Sequence, residues 1–170
     1  KCLYCANPDT ITFDGGTLTE IEDIVKMAVS QKPFFGKRGG ITFSGGEPTI
    51  CNEFLVEVCK KLKEHNIHIA LDTCGVGNGN YDELLSYIDL ILLDIKHTDE
   101  FEYQELTGQQ NNESEKFIKA LNKSNKPVWI RQVIVPGIID NCDYLIGLKE
   151  YLKRINNIEK IEFLPYHKLG

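Results

Sequence analysis

Leu90-Ile91-Leu92-Leu93-Asp94-Ile95-Lys96-His97 sets four apolar residues in a row and then turns abruptly polar. A strand with no polar residue among its apolar ones suits a position covered on both faces, and such strands belong to parallel sheets flanked by helices. The flanks agree: Tyr81 to Ile88 and Glu113 to Lys123 carry helical spacing on either side of it.

The alternation extends in both directions. Upstream, Glu20 to Ser30 places Ile21, Ile24, Val25 and Val29 at helical spacing, with Thr19 as the expected N-cap and Glu22 completing a capping box. This helix follows a turn at Asp14-Gly15-Gly16. A glycine-rich break at Gly36 to Gly40 leads to the strand Ile41 to Ser44, and Phe54 to Leu62 is helical. Ile67 to Leu71 is a strand ending in Asp72-Thr73-Cys74-Gly75. Downstream come a polar helical region from Asp99 to Leu106, a strand at Val128 to Val135, a helix at Tyr144 to Arg154, and a last strand at Ile161 to Leu164. No interval reads as a two-residue hairpin. The pattern predicts an α/β protein with parallel strands, helical crossovers and ligands at the carboxyl ends of the strands.

With 170 residues, of which 42% are hydrophobic, the chain can build one core and bury about 70% of its unfolded surface. A net charge of -6 with dispersed Lys and Arg argues against nucleic acid and anionic membranes as partners. No run reaches the roughly 20 apolar residues of a membrane-spanning helix, and no signal segment is visible, so a cytoplasmic protein is expected. Among the six cysteines, Cys51, Cys59, Cys74 and Cys142 read as reduced, buried side chains.

The polar residues cluster by position. Gly45, Gly46 and Glu47 follow the first strand, Asp72 and Thr73 the second, Asp94 and Lys96 the third; Arg131 lies in the fourth and His167 follows the fifth. In a parallel sheet or barrel these ends share one rim and line one pocket. Singly, each has a plainer reading: a turn glycine, a helix-capping Asp, a solvated strand Arg.

Cys2-Leu3-Tyr4-Cys5-Ala6-Asn7 adds two thiols on a tight loop. Zinc normally needs a second ligand pair, and none is visible. A thioredoxin-like couple would leave the polar strand ends unexplained. An iron-sulfur cluster takes closely spaced thiolates, of which two are present here.

Cys2 to Asn7 resembles the last two cysteines of the Cys-x-x-x-Cys-x-x-Cys signature of the radical S-adenosylmethionine (SAM) superfamily, and Ser44-Gly45-Gly46-Glu47-Pro48 resembles its second motif. The resemblance is closer to the glycyl-radical activases, in particular the branch acting on pyruvate formate-lyase. It rests on Cys5 to Asp9, Leu71 to Gly75, Leu92 to His97, Val128 to Arg131, Val135 to Gly137 and Leu164 to Gly170, all in the family's order. The interval from Asn7 to Ser44 leaves no room for the additional cluster domain of some activases. Ala6 stands where a His is common in the family and Cys74 where a Ser is. The resemblance implies a partial (β/α)6 barrel with its first strand and first cluster cysteine upstream of Lys1, hence one N-terminally truncated domain over residues 1–170.

It further implies a 4Fe-4S cluster with Cys2 and Cys5 as two of three thiolate ligands, and SAM on the open iron. Cys5 and its neighbours Tyr4, Ala6 and Asn7 would line SAM, with backbone contacts to the adenine from Tyr4 to Ala6. Gly45 and Gly46 would admit it closely, and Glu47 would pair with a cationic part of it. Lys96 and Arg131 would meet anionic or hydroxyl-bearing parts, His167 the adenosine, with Asp94, Ile95 and Val133 beside them. Asp72, Thr73 and Asp94 resemble the family's monovalent-cation site. The implied reaction splits SAM reductively to methionine and a 5'-deoxyadenosyl radical, which takes a hydrogen from a glycine of pyruvate formate-lyase. A flavodoxin or ferredoxin-type reductant would supply the electron, the partner loop would enter a lateral gap in the barrel, and no general base is called for.

Three alternatives stand beside this reading. One is an activase of another glycyl-radical enzyme, or another radical SAM enzyme. The second is an NAD-dependent dehydrogenase, from Gly75-Val76-Gly77-Asn78-Gly79 between a strand and a helix with Asp94 ending the next strand, although the spacing departs from G-x-G-x-x-G. The third is a zinc-binding module.

Overall fold

The computed structural model describes residues 2–5, 7–12, 15–37 and 39–167. Ala6, Asp14 in the expected turn and residues 168–170 of the closing motif lie outside the described residues.

Strands and helices alternate: α1 (Ile21–Gln31), β1 (Ile41–Phe43), α2 (Asn52–Glu64), β2 (Ile69–Thr73), α3 (Tyr81–Tyr87), β3 (Leu90–Asp94), α4 (Glu100–Thr107), α5 (Asn112–Ser124), β4 (Val128–Ile134), α6 (Cys142–Leu152) and β5 (Ile158–Pro165). The strands form one sheet in the order β1-β2-β3-β4-β5, every neighbour pair parallel. The order never reverses, so the sheet is wound in one direction. A dinucleotide-binding sheet instead doubles back at a switch point. Among the described residues β1 and β5 do not pair, which leaves the barrel open.

Alternation along each strand gives the sheet two faces. Ile69 and Leu71 of β2, Ile91 and Leu93 of β3, and Val128 and Ile130 of β4 join Leu55, Val58 and Leu62 of α2, Leu84 and Leu85 of α3, Phe117 and Leu121 of α5, and Leu148 of α6 in the core. Ala70, Asp72, Leu92, Asp94, Trp129 and Arg131 occupy the alternate positions, away from that core. In register, Asp72 sits opposite Leu92, Asp94 opposite Arg131 and Arg131 opposite Glu162. The second face therefore carries the charges.

Local signals set the boundaries. Asp99 caps α4 by accepting from the Glu102 N–H at 3.0 Å, and Asn141 caps α6 through the Tyr144 N–H at 2.8 Å. The expected capping box at Thr19 does not form. Glu20 takes the cap position without a side-chain bond, because the Thr19 hydroxyl donates back to the Thr17 carbonyl at 3.1 Å. β2 runs two residues past Leu71, so Asp72 and Thr73 stand on the strand and not beyond it. β5 is longer than its apolar pattern, since Glu159, Lys160 and Glu162 are strand residues of a partly exposed edge.

Two of the four cysteines expected in the core are not there: Cys51 and Cys142 are exposed, at the starts of α2 and α6, while Cys59 is buried and Cys74 half-buried. Both sit at helix starts on positions that face away from the core.

Candidate functional site

The site begins with the cysteine loop. Leu3 donates its N–H to the Leu106 carbonyl at 2.9 Å, and Asn7 Nδ2 donates to the Gly45 carbonyl at 3.3 Å. These bonds seat the loop against the end of α4 and against the Gly45 turn. Cys2, Tyr4 and Cys5 are all half-buried. Tyr4 Oη is a buried hydroxyl with no hydrogen-bond partner among the described residues.

Gly45 has φ +130°, a backbone conformation that side chains strongly disfavour. At Gly46 an added Cβ would meet Thr10 at 3.4 Å, ordinary contact distance, so Gly45 is the more demanding position. The Glu47 carboxylate points into the protein. Oε1 accepts from the Thr49 N–H at 3.1 Å, the Thr49 hydroxyl at 2.6 Å and the Thr73 hydroxyl at 2.5 Å. Oε2 accepts from the Cys74 N–H at 2.9 Å and the Cys74 thiol at 3.1 Å. The carboxylate thus clamps the turn after β1 to the end of β2, and this full set of donors leaves it no free valence for the cationic part of a ligand. Burial first, then the Glu47 charge, pushes the Cys74 thiol well above its ordinary value, so it stays protonated as a donor.

Across the open face, Arg131 Nη1 donates to Asp72 Oδ2 at 2.8 Å, reaching across β3, and Arg131 Nε lies 3.4 Å from Glu162 Oε2. Ser44 Oγ donates to the same Asp72 oxygen at 3.3 Å. Burial raises the Asp72 carboxyl, Arg131 opposes this, and the neighbouring Asp94 adds to it. Lys96 Nζ bonds Asp94 Oδ2 at 2.9 Å and stands 5.7 Å from the centre of the Tyr4 ring. Burial works against the Lys96 charge, but Asp94 and the acidic groups of the cysteine loop outweigh it and hold the amine firmly protonated.

The structure therefore brings Cys2, Tyr4, Cys5, Asn7, Gly45, Glu47, Asp72, Asp94, Lys96 and Arg131 to one end of the sheet. Ile95 is buried, and its N–H donates to the Arg131 carbonyl at 2.9 Å. Val133 lies further along β4, opposite Leu164, and His167 is exposed past the end of β5. Thr73 points away from Asp72, toward Glu47. Neither Asp72 nor Asp94 caps a helix. Among the described residues no three His, Cys, Asp or Glu side chains converge as a ready metal site. Thr49, Leu106 and Glu162 are not singled out by the sequence, and Ser44 enters there only as the first residue of the Ser44–Pro48 motif. Glu162 had a signal, since it falls on the same face of β5 as its register partner Arg131.

The glycines at 75, 77 and 79 do not form a phosphate cradle. A Cβ at Gly77 would come within 2.4 Å of Thr49 Oγ1, one at Gly79 within 2.4 Å of Asn52, and one at Gly75 within 3.0 Å of Phe117. The loop is packed against protein where a dinucleotide would have to lie.

An open, singly wound parallel sheet with a two-thiol loop and a Gly-Gly-Glu turn at its carboxyl end fits the radical SAM superfamily, whose family model matches residues 1–146. A pyruvate formate-lyase-activating enzyme of Clostridium pasteurianum is 45% identical over 171 residues, covering 100% of this chain and 72% of that protein. One from Staphylococcus epidermidis is 41% identical, covering 100% and 71%. The crystal structure of a domain of a pyruvate-formate lyase-activating enzyme from Bacteroides vulgatus superposes with a TM-score of 0.68 at 29% identity, over 76% of this chain and 81% of that one. The chain belongs to the radical SAM superfamily and, within it, to the pyruvate formate-lyase-activating enzymes.

The superfamily's cofactors are a 4Fe-4S cluster and SAM. The residues fit both. Two soft thiol donors share a loop pinned at both ends, with a protonated amine beside it to offset the charge of an anionic cluster. The half-buried Asp72–Arg131 and Asp94–Lys96 pairs offer either sign of charge to a zwitterionic ligand, and the Tyr4 hydroxyl awaits a partner.

Proposed function

We propose that this chain acts as the radical SAM activase of pyruvate formate-lyase, forming a glycyl radical on it. The observation that carries the reading is the convergence of the Cys2–Cys5 loop, the Gly45 turn and the two ion pairs at one end of an open parallel sheet. When bound, the cluster and SAM supply reductive cleavage of SAM to methionine and a 5'-deoxyadenosyl radical.

The chain's own residues hold and shield. Cys2 and Cys5 ligate iron, and the backbone of Tyr4, Cys5 and Asn7, beside the bonds made by Leu3 and Asn7, lines the nucleoside. Gly45 lets the backbone approach the ligand, while Glu47 keeps that turn in place from behind. Lys96 and Arg131 receive the carboxylate and hydroxyl-bearing parts, and His167 reaches the adenosine from the end of β5. Asp72 and Asp94, on neighbouring strands and mutually repulsive, supply hard oxygens for a monovalent cation, with Thr73 next to them. Among the described residues β5 is an edge strand, and a loop of the protein substrate enters beside it through the lateral gap of a partial barrel. The electron comes from a flavodoxin or ferredoxin-type protein. Among the described residues no helix is long and apolar enough to cross a membrane.

Anaerobic reconstitution of the full-length protein with iron and sulfide tests the reading. A brown protein that yields methionine and 5'-deoxyadenosine from SAM and a reductant, and leaves a glycyl signal on pyruvate formate-lyase, is expected. SAM cleavage with no glycyl signal would point to another glycyl-radical enzyme or to a small-molecule substrate, and a colourless protein that binds NAD would overturn the reading.

A further inference from the structure

Lys96 is placed for a task beyond holding a ligand. Its side chain is only 15% exposed, and its ammonium lies between Asp94 on β3 and the ring of Tyr4, the residue that separates Leu3 from the second loop thiol. Tyr4 falls between the two loop thiols in sequence, so an ammonium held 5.7 Å from its ring centre stands beside the loop that carries both Cys2 and Cys5. The other titratable side chains at this corner are Asp94, which bonds Lys96, the Cys5 thiol, and Cys74, which donates its thiol proton to Glu47 behind it. Arg131 is engaged by Asp72 and Glu162.

We propose that Lys96 sets the reduction potential of the cluster held by the Cys2–Cys5 loop, its ammonium favouring the reduced and more negative state while Asp94 moderates that effect. The inference rests on the cluster reading above. Reduction adds one electron, supplied from outside by dithionite or a physiological donor, and so one negative charge at the loop. A fixed, poorly hydrated cation nearby stabilises that added charge more than it would in water. Burial makes the cation effective, and the bond to Asp94 holds it in position.

The test is a mediated redox titration of the anaerobically reconstituted full-length protein without SAM, followed by the electron paramagnetic resonance of the reduced cluster, with iron and sulfide content measured alongside. Lys96→Gln should be harder to reduce: at the wild-type midpoint the reduced-to-oxidised ratio should fall about tenfold, or about 59 mV for one electron. Lys96→Arg should stay near wild type. Asp94→Asn should move the other way, because it removes a negative charge. A purely structural role for the pair would not produce shifts of opposite sign. A Lys96→Gln midpoint equal to wild type, or shifts of the same sign in Lys96→Gln and Asp94→Asn, overturns the inference while a normal wild-type cluster leaves the functional reading standing. If Lys96→Gln fails to assemble a cluster, the sign of the Asp94→Asn shift decides. Failure of the wild-type protein to assemble one overturns both.

Discussion

Replacing Glu47 with Ala removes the acceptor for five donors: the N–H and hydroxyl of Thr49, the Thr73 hydroxyl, and the N–H and thiol of Cys74. The hydroxyls and the thiol can turn to other acceptors or to water. The two backbone N–H groups cannot, and each orphaned amide costs about 1–3 kcal/mol when fully buried. Because the network is only part-buried, the lower half of that range applies, giving a loss of about 2–4 kcal/mol. For a domain of this size that lowers Tm by about 4–16 °C, at about 2–4 °C per kcal/mol. Glu47→Gln should lose less, since one oxygen still accepts while its amide faces the Cys74 N–H. Cys74→Ser should be near neutral, because the hydroxyl replaces the thiol donor. Thermal unfolding of the apo protein followed by circular dichroism measures all three. A Glu47→Ala protein melting within about 2 °C of wild type would refute the clamp and return Glu47 to the role of a ligand-facing carboxylate.

Asp89 accepts from the Lys63 ammonium and, at 2.7 Å, from the Ile69 N–H. Burial alone would raise its carboxyl, but these donors more than offset it and hold the pKa below the usual value. Its stabilisation is therefore present above the unfolded-state pKa and lost as pH falls through the lower folded one. Asp89→Asn should cost about 1–3 kcal/mol at neutral pH in urea unfolding, and the gap to wild type should narrow in acid. Arg131→Met should push the Asp72 carboxyl, already raised by burial, further up, as carboxyl carbon NMR would show; an unchanged titration would mean that the 2.8 Å pair carries no weight. Gly45→Ala must adopt φ +130° and should weaken SAM binding more than Gly46→Ala, whose Cβ finds ordinary contact; equal affinities by calorimetry would contradict this.

The repeating strand and helix pattern was legible because each strand carries an apolar run with a polar end, as at Leu90 to Lys96. The rim was legible for the same reason, since a parallel sheet collects its strand ends. What the sequence could not convey was direction. Glu47 follows a strand and looks ligand-facing, yet it turns inward because Thr49, Thr73 and Cys74 converge behind it from two different elements. Arg131 could be assigned to a strand but not to Asp72, two strands away, since that pairing depends on a register no local pattern encodes. The glycines at 75, 77 and 79 mimicked a nucleotide loop because close packing against Thr49, Asn52 and Phe117 makes the same demand for a missing Cβ. Cys51 and Cys142 misled because an apolar side chain at a helix start need not face the core.

The most direct test of the central claim is isotope transfer. Pyruvate formate-lyase carrying glycine deuterated at Cα is mixed with the reconstituted full-length protein, SAM and a reductant, and the 5'-deoxyadenosine is examined by mass spectrometry. The proposed activity predicts one deuterium in the 5'-deoxyadenosine for each glycyl radical formed. 5'-Deoxyadenosine that forms without deuterium while the glycine label is retained would contradict it.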